Sequence, residues 1–347
     1  MTVQKRSHQV EKLARVYDDE IAPIWGSRFG RLLLRDLAIP ERSQVLDVSC
    51  GTGAPTLEIL RRMSDGSRII AIDSSSAMLD VARRKVEGLG PLGKKGVFFR
   101  TESALPRLSF ASDVYDVVVC NLGLGEMPSA ATALRDFARV AKIGGQVRCT
   151  LPLAGTFAEF YDIYREVLVK HDRTGAIERL DAHLATYPTP ARCEQWLAEA
   201  GLDPSIEVEE FSLLFRSSRE FFFAPVIEYG PLPAWKAIAG AGQELQDVFW
   251  YIKEAIDAYF DGRPFEVTVK AACLGGRKLS EAIPVPADMP ARSQIADGSV
   301  RLENSDVIDI EEISESGEPD PDDEPSRDTV DVPLDAFTDG KPRPGHL

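Results

Sequence analysis

The nine residues Val45-Leu46-Asp47-Val48-Ser49-Cys50-Gly51-Thr52-Gly53 constrain this chain more than any other stretch. Apolar residues on both sides of an aspartate read as a buried strand. The strand runs into a turn with two glycines, and a helix-like segment follows from Pro55. Glycine in such a turn lets a ligand lie against the main chain, because no Cβ stands in the way. The helix start beyond it offers N–H groups that have no intrahelical partner. A second apolar strand, Ile69-Ile70-Ala71-Ile72, ends in Asp73. A carboxylate there can accept hydrogen bonds from both hydroxyls of a ribose. The pattern predicts a nucleoside held at the carboxyl edge of a parallel sheet.

Two ligand classes use this geometry. A dinucleotide loop spells G-x-G-x-x-G and sets a pyrophosphate on the helix N-terminus. Here Thr56 occupies the third glycine position, and Asp47 stands four residues before Gly51. A carboxylate so close repels a pyrophosphate and suits a ligand with an ammonium group. S-adenosylmethionine, with ribose, adenine, sulfonium and amino-acid head, is such a ligand, and an NAD(P) enzyme is the weaker reading.

The segment resembles motif I of the class I S-adenosylmethionine-dependent methyltransferases, D-x-G-C-G-x-G. Further stretches match in order: Ala71 to Leu79 resembles the ribose strand and following helix, and Arg100 to Pro106 the adenine loop. Tyr115 to Asn121 resembles the fourth strand, whose end faces the reacting methyl, and Arg139 to Gly145 the turn before the fifth. Val16-Tyr17-Asp18-Asp19 with Trp25 resembles the N-terminal segment of the ubiquinone/menaquinone-biosynthesis type, which closes over the cofactor. The match runs over roughly residues 10–275. It implies a cofactor site of Tyr17, Trp25, Asp47, Ser49, Cys50, Gly51, Gly53, Asp73, Ser74, Met78, Glu102, Ser103, Asn121 and Leu122. Within it, Asp47 faces the amino-acid head, Asp73 the ribose and Glu102 the adenine amino group. Three positions depart from the pattern: Ser49 replaces a glycine, Glu102 stands where aspartate is commoner, and Ile143-Gly144-Gly145 lacks a proline.

The implied fold is a doubly wound, mainly parallel seven-stranded sheet of the Rossmann-like kind. The alternation of strands at 44–49, 68–72, 96–100, 115–120 and 146–151 with helices at 55–63, 76–88 and 129–141 fits it. Ile206–Phe215 and Phe265–Leu274 read as a closing antiparallel pair. Residues 1–40 read as an N-terminal helical lid and 41–280 as the methyltransferase domain, with helical insertions at about 156–185 and 217–260. From Glu281 to Leu347 the chain has 18 acidic and 5 basic residues and recurrent prolines, leaving a net charge of −2 on the rest. Such a tail is expected to be disordered, with Val300–Ile313 as a possible protein-binding stretch.

This acidity argues against a nucleic-acid partner. No run of about 18 apolar residues exists, and residues 1–15 lack a signal-peptide core, so the cytoplasm is the expected compartment. The five cysteines form no C-x-x-C pair, and no metal site is expected. The expected acceptor is a small molecule with an apolar body, walled by Phe221, Phe222, Phe223, Tyr229 and Trp235. Methyl transfer from a sulfonium is a displacement that needs alignment and water exclusion, and a base only where the nucleophile carries a proton. Glu126, His171 and His183 are the candidates. The rival reading is a methyltransferase-fold binding or assembly protein with little catalysis, acting through its acidic tail.

Overall fold

The computed structural model describes residues 2–94 and 96–279. The expectations for the acidic tail, its partner stretch and the domain end at residue 280 lie outside the described residues.

The chain opens with α1 (Thr2–Val16), a π-helical run (Tyr17–Gly26) and α2 (Ser27–Leu34). Alternation then begins: β1 (Gln44–Val48), α3 (Ala54–Arg62), β2 (Arg68–Asp73), α4 (Ser76–Glu87) and β3 (Gly96–Thr101). It continues through β4 (Tyr115–Asn121), a 3₁₀ turn (Gly123–Glu126), α5 (Ala130–Val140) and β5 (Ala141–Pro152). Helices α6 (Ala158–Lys170), α7 (Thr174–Leu184) and α8 (Pro190–Glu199) precede β6 (Ser205–Phe215). After β6 come α9 (Ser218–Phe223), α10 (Pro225–Glu228), α11 (Leu232–Ala239), α12 (Gly242–Phe260) and β7 (Phe265–Arg277).

The seven strands lie in the order β3-β2-β1-β4-β5-β7-β6. Strands β1 to β5 pair in parallel, and β7 runs antiparallel between β5 and β6. This is the Rossmann-like methyltransferase sheet. Val45, Leu46, Val48, Val117, Val118 and Val119 are wholly buried, as central strands covered on both faces must be. The order reverses direction at β1, which opens a crevice beyond the carboxyl ends of β1 and β4.

Two inserted segments are more broken than the sequence predicts. The stretch expected to be helical over 156–185 is interrupted after Lys170, where Asp172 takes φ +52° and the Arg173 N–H bonds back to the Leu168 carbonyl at 2.9 Å. A new helix then starts at Thr174. The helical insertion expected over 217–260 is broken at Ala224, whose ψ of 126° is extended. Pro225 explains this, because a proline ring disfavours helical backbone in the residue before it.

Candidate cofactor and acceptor site

The cradle forms where β1 ends. Ser49 (φ +54°), Gly51 (φ +54°) and Gly53 (φ +79°) all take left-handed backbone, so the chain coils tightly before α3. A Cβ on Gly53 would lie 2.9 Å from Ala82 Cβ, so α3 and α4 approach here only because the side chain is missing. Above Gly51 lies the Tyr17 ring, 3.6 Å from where a Cβ would be. The π-helical run thus roofs the glycine turn. π-helical geometry is uncommon and concentrates at functional sites.

Asp73, at the end of β2, accepts the Gly51 N–H at 2.9 Å and the Ser75 N–H at 2.8 Å. The carboxylate is held beside the turn with lone pairs to spare. Asp47 is wholly buried. Its Oδ2 accepts the Thr56 hydroxyl at 2.5 Å, while its Oδ1 has no partner. Burial pushes its pKa up to about 7, against the opposing pull of the Thr56 hydrogen bond. Burial also lifts the Tyr17 phenol to about 12, with the Glu126 and Asp73 charges adding to it. Glu126 retains solvent contact, yet desolvation and then the Asp73 charge raise its carboxyl pKa. Acidic groups that disfavour one another's ionisation, with an orphaned buried oxygen among them, fit a ligand that brings positive charge.

Other expected site residues are placed as follows. Ser74 is exposed beside Asp73, and Ser75 caps α4 through the Met78 N–H. Met78 itself packs against Ala14, Ala77 and Val81, joining α4 to α1. Cys50 is buried, its N–H bonded to the Ile72 carbonyl at 3.0 Å. Glu102 is engaged within the protein: Oε1 accepts the Ser109 N–H at 3.0 Å and Oε2 lies 2.8 Å from the Arg100 guanidinium. The Ser103 hydroxyl accepts the Leu105 N–H. Asn121 donates to the Gly26 carbonyl at 3.2 Å and accepts the Thr150 hydroxyl at 2.8 Å, so it fastens the π-helical run to the ends of β4 and β5. Leu122 takes φ +67° beside it.

Three expected residues have their ring or hydrogen-bond partners outside the glycine turn. The Trp25 ring packs against Phe29, Phe157 and Phe211 with centroids 5.0, 5.9 and 6.2 Å away. His171 stacks on Tyr251 at 3.8 Å, beyond the end of α6, with Lys170, Asp172, Arg173 and Asp247 around it and no cradle residue. His183 meets the Tyr161 hydroxyl at 2.9 Å, which also accepts the Trp235 indole N–H at 2.8 Å. Burial lowers the His183 pKa. Thr56, Thr150, Gly123 and Tyr161 take part without having been expected. Thr56 alone left a signal, since it fills the place where a dinucleotide loop needs glycine.

Comparison with known proteins points to methyl transfer. Residues 45–145 match a family model described as a methyltransferase domain. Demethylmenaquinone methyltransferase of Halalkalibacterium halodurans is 28% identical over 226 residues, covering 61% of this chain and 89% of that protein. The enzyme of the same name from Staphylococcus aureus strain JH9 is 27% identical over 164 residues, 46% of this chain and 64% of that protein. By this match the chain carries a methyltransferase domain. Among solved structures, the YcgJ protein of Bacillus subtilis aligns over 73% of this chain and 99% of its own at TM-score 0.49 and 18% identity.

The matched segment ends at Gly145, just before the main run of β5. The glycine turn, Asp73 and the end of β4 all fall inside it. The inserted helices and the β6–β7 pair fall outside. Phe157, at the entry to α6, takes φ +59° and packs edge-on to Trp235 at 5.6 Å. Phe160 stacks on the same indole at 4.0 Å, and Phe221 lies parallel to it at 5.8 Å. Trp235 is wholly buried and Phe222 only partly so.

Proposed function

We propose that the methyl acceptor is a small molecule with an aromatic ring and an apolar body, of the kind that the names of the relatives specify as demethylmenaquinone. The supporting observation is the aromatic wall that continues from Trp25 through Phe157 to Trp235. It begins on the π-helical run that Asn121 fastens to the end of β4, and it is built from chain beyond the matched domain. Phe157 and Trp235 are buried and back the half-buried Trp25, the ring of this wall that can meet a ligand; an apolar face of this kind binds by excluding water and would hold a flat ring against the methyl donor. Proximity and desolvation then supply most of the rate.

Residues 1–40 act in this reading as a lid, with Tyr17 as the part that touches the cofactor and Trp25 as the part that touches the acceptor wall. Glu126 is the base we assign where the acceptor carries a proton. It sits on the turn after β4, and its raised pKa lies closer to neutrality than an ordinary carboxylate, which suits proton acceptance. His183, neutral through burial and paired with Tyr161, is the second candidate. No helix among the described residues is long and apolar enough to cross a membrane.

The test is turnover of S-adenosylmethionine with demethylated naphthoquinols of differing tail length. Product formation that rises with the apolar tail supports the reading. Glu126→Gln should lower kcat at least tenfold while leaving S-adenosylhomocysteine affinity within a factor of about two. Cofactor binding without transfer to any quinol would overturn the acceptor assignment.

A further inference from the structure

Behind the aromatic wall lies a row of polar atoms that belongs to no part of the cradle. Its junction is the Tyr161 hydroxyl on α6. That oxygen accepts the Trp235 indole N–H at 2.8 Å, meets His183 Nε2 at 2.9 Å and lies 3.4 Å from the Tyr187 hydroxyl. Tyr161 is buried, while His183 and Tyr187 are half-buried. The Pro188 carbonyl, next to Tyr187, accepts the Ala154 N–H at 2.9 Å. Ala154 follows the carboxyl end of β5, which pairs with the end of β4. The row thus runs from the carboxyl edge of the sheet to the imidazole on α7.

An indole N–H only donates, so the Tyr161 hydrogen has two places to go. With the proton of neutral His183 on Nδ1, Tyr161 donates to Nε2 and Tyr187 donates to Tyr161. The Tyr187 oxygen is then left to accept on its free side. With the proton on Nε2, His183 donates to Tyr161 and Tyr161 donates to Tyr187, whose own hydrogen points away from the junction. Every group in the row is satisfied both ways. The two settings differ by one proton moved along the row, which is what a proton path requires. Burial, with no neighbouring charge, lowers the His183 pKa, so the imidazole is neutral near pH 7 and ready to accept. The titratable groups that face it are two phenols, Tyr161 from α6 and Tyr187 from the chain after α7.

Building on the acceptor reading, we propose that the Tyr187 oxygen receives a ring hydroxyl of the methyl acceptor, and that the proton leaves through Tyr161 to His183. The acceptor O–H bond breaks as the Tyr187 oxygen takes its hydrogen. Tyr187 passes its own hydrogen to Tyr161, and Tyr161 passes its own to Nε2. His183 then gives its Nδ1 proton to water. The electron pair of the broken bond stays on the acceptor, which becomes the nucleophile. Only Tyr187 touches the acceptor; His183 is the end of a path.

The experiment measures kcat and KM of the full chain with a demethylated naphthoquinol from about pH 6 to about pH 10, which spans the titration of an imidazole and a phenol. Tyr187→Phe keeps the ring and removes only the hydroxyl. It should lower kcat about tenfold or more at neutral pH and leave Tm and S-adenosylhomocysteine affinity unchanged. At the alkaline end, where the acceptor ionises unaided, it should approach the native rate. His183→Ala should show the same loss. Added imidazole should restore it, and pyrazole, alike in shape and far less basic, should not. An unchanged kcat for Tyr187→Phe would overturn the inference alone. So would a loss of equal size at every pH, or rescue of His183→Ala by pyrazole as well. A native chain that binds S-adenosylhomocysteine and methylates no quinol would overturn the acceptor reading and this inference with it.

Discussion

Thr56 closes one side of Asp47 and leaves the other open: Oδ2 accepts its hydroxyl at 2.5 Å, and Oδ1 faces no donor. The Asp47 pKa of about 7, against an ordinary value of 3.8, means that the folded chain binds this proton more tightly than the unfolded chain does. Stability from this group is therefore greatest at low pH. It falls as pH rises from about 4 to about 7, and it changes little above that. A cationic ligand reverses the preference by favouring the ionised form. Affinity for S-adenosylmethionine should thus rise from about pH 6 to about pH 8, with a proton released on binding at the lower pH. Asp47→Asn should remove most of both slopes and weaken binding. Titrations in buffers of different ionisation enthalpy would measure the proton count, and a count of zero near pH 6 would refute the role.

Asp73 carries two duties. Its carboxylate organises the glycine turn through the Gly51 and Ser75 N–H groups, and the proposed ribose contact comes on top of these. Asp73→Ala should weaken S-adenosylhomocysteine at least tenfold and also lower Tm, since losing such bonds costs about 1–3 kcal/mol. An unchanged dissociation constant in the folded variant would move the nucleoside elsewhere.

The Gly53–Ala82 approach predicts a separable pair of costs. Gly53→Ala should destabilise by about 2 kcal/mol, part from φ +79° and part from the 2.9 Å contact with Ala82 Cβ. Adding Ala82→Gly should recover only the contact part. Urea midpoints of the single and double variants would separate the two. Full recovery would mean that the backbone tolerates a side chain there.

The sheet was legible because its strands are short apolar runs between helical stretches, and each of the expected strands starts within a few residues of the observed one. β5 is the exception, starting at Ala141 because residues before the Tyr115/Val117 bulge still pair. The places of Asp47, Asp73 and the glycines around one turn were legible because they follow from position on the backbone. What side chains do at long range was not. Nothing in the sequence near Trp25 says that Phe157 and Phe211 will claim its ring. Nor does the sequence say that Glu102 will accept the Ser109 N–H and lie beside the Arg100 guanidinium. The break after α6 depends on a left-handed Asp172, which aspartate permits but does not announce.

Asn121 offers a handle on the lid. Its amide holds the Gly26 carbonyl while its oxygen takes the Thr150 hydroxyl. Asn121→Ala should cost about 1–2 kcal/mol and speed hydrogen exchange in residues 8–30. In the native chain, S-adenosylhomocysteine should slow exchange in the same stretch. Exchange that ignores both the variant and the ligand would reduce the N-terminal segment to packing alone.

The position of β7 also bears on how the molecule is made. Among the described residues β6 pairs with no strand except β7, and β7 pairs with β5 on its other side. A chain emerging from the ribosome can assemble β1 to β5 as its residues arrive, but β6 must wait, unpaired, through the whole α9–α12 segment until β7 slides in between. During that interval two strand edges and the aromatic residues that pack around Trp235 are exposed together. The chain therefore completes the turn that carries Gly51 and Asp73 early in synthesis and the rings around Trp235 late. Nascent chains stalled before Phe265 should be the ones that chaperones hold.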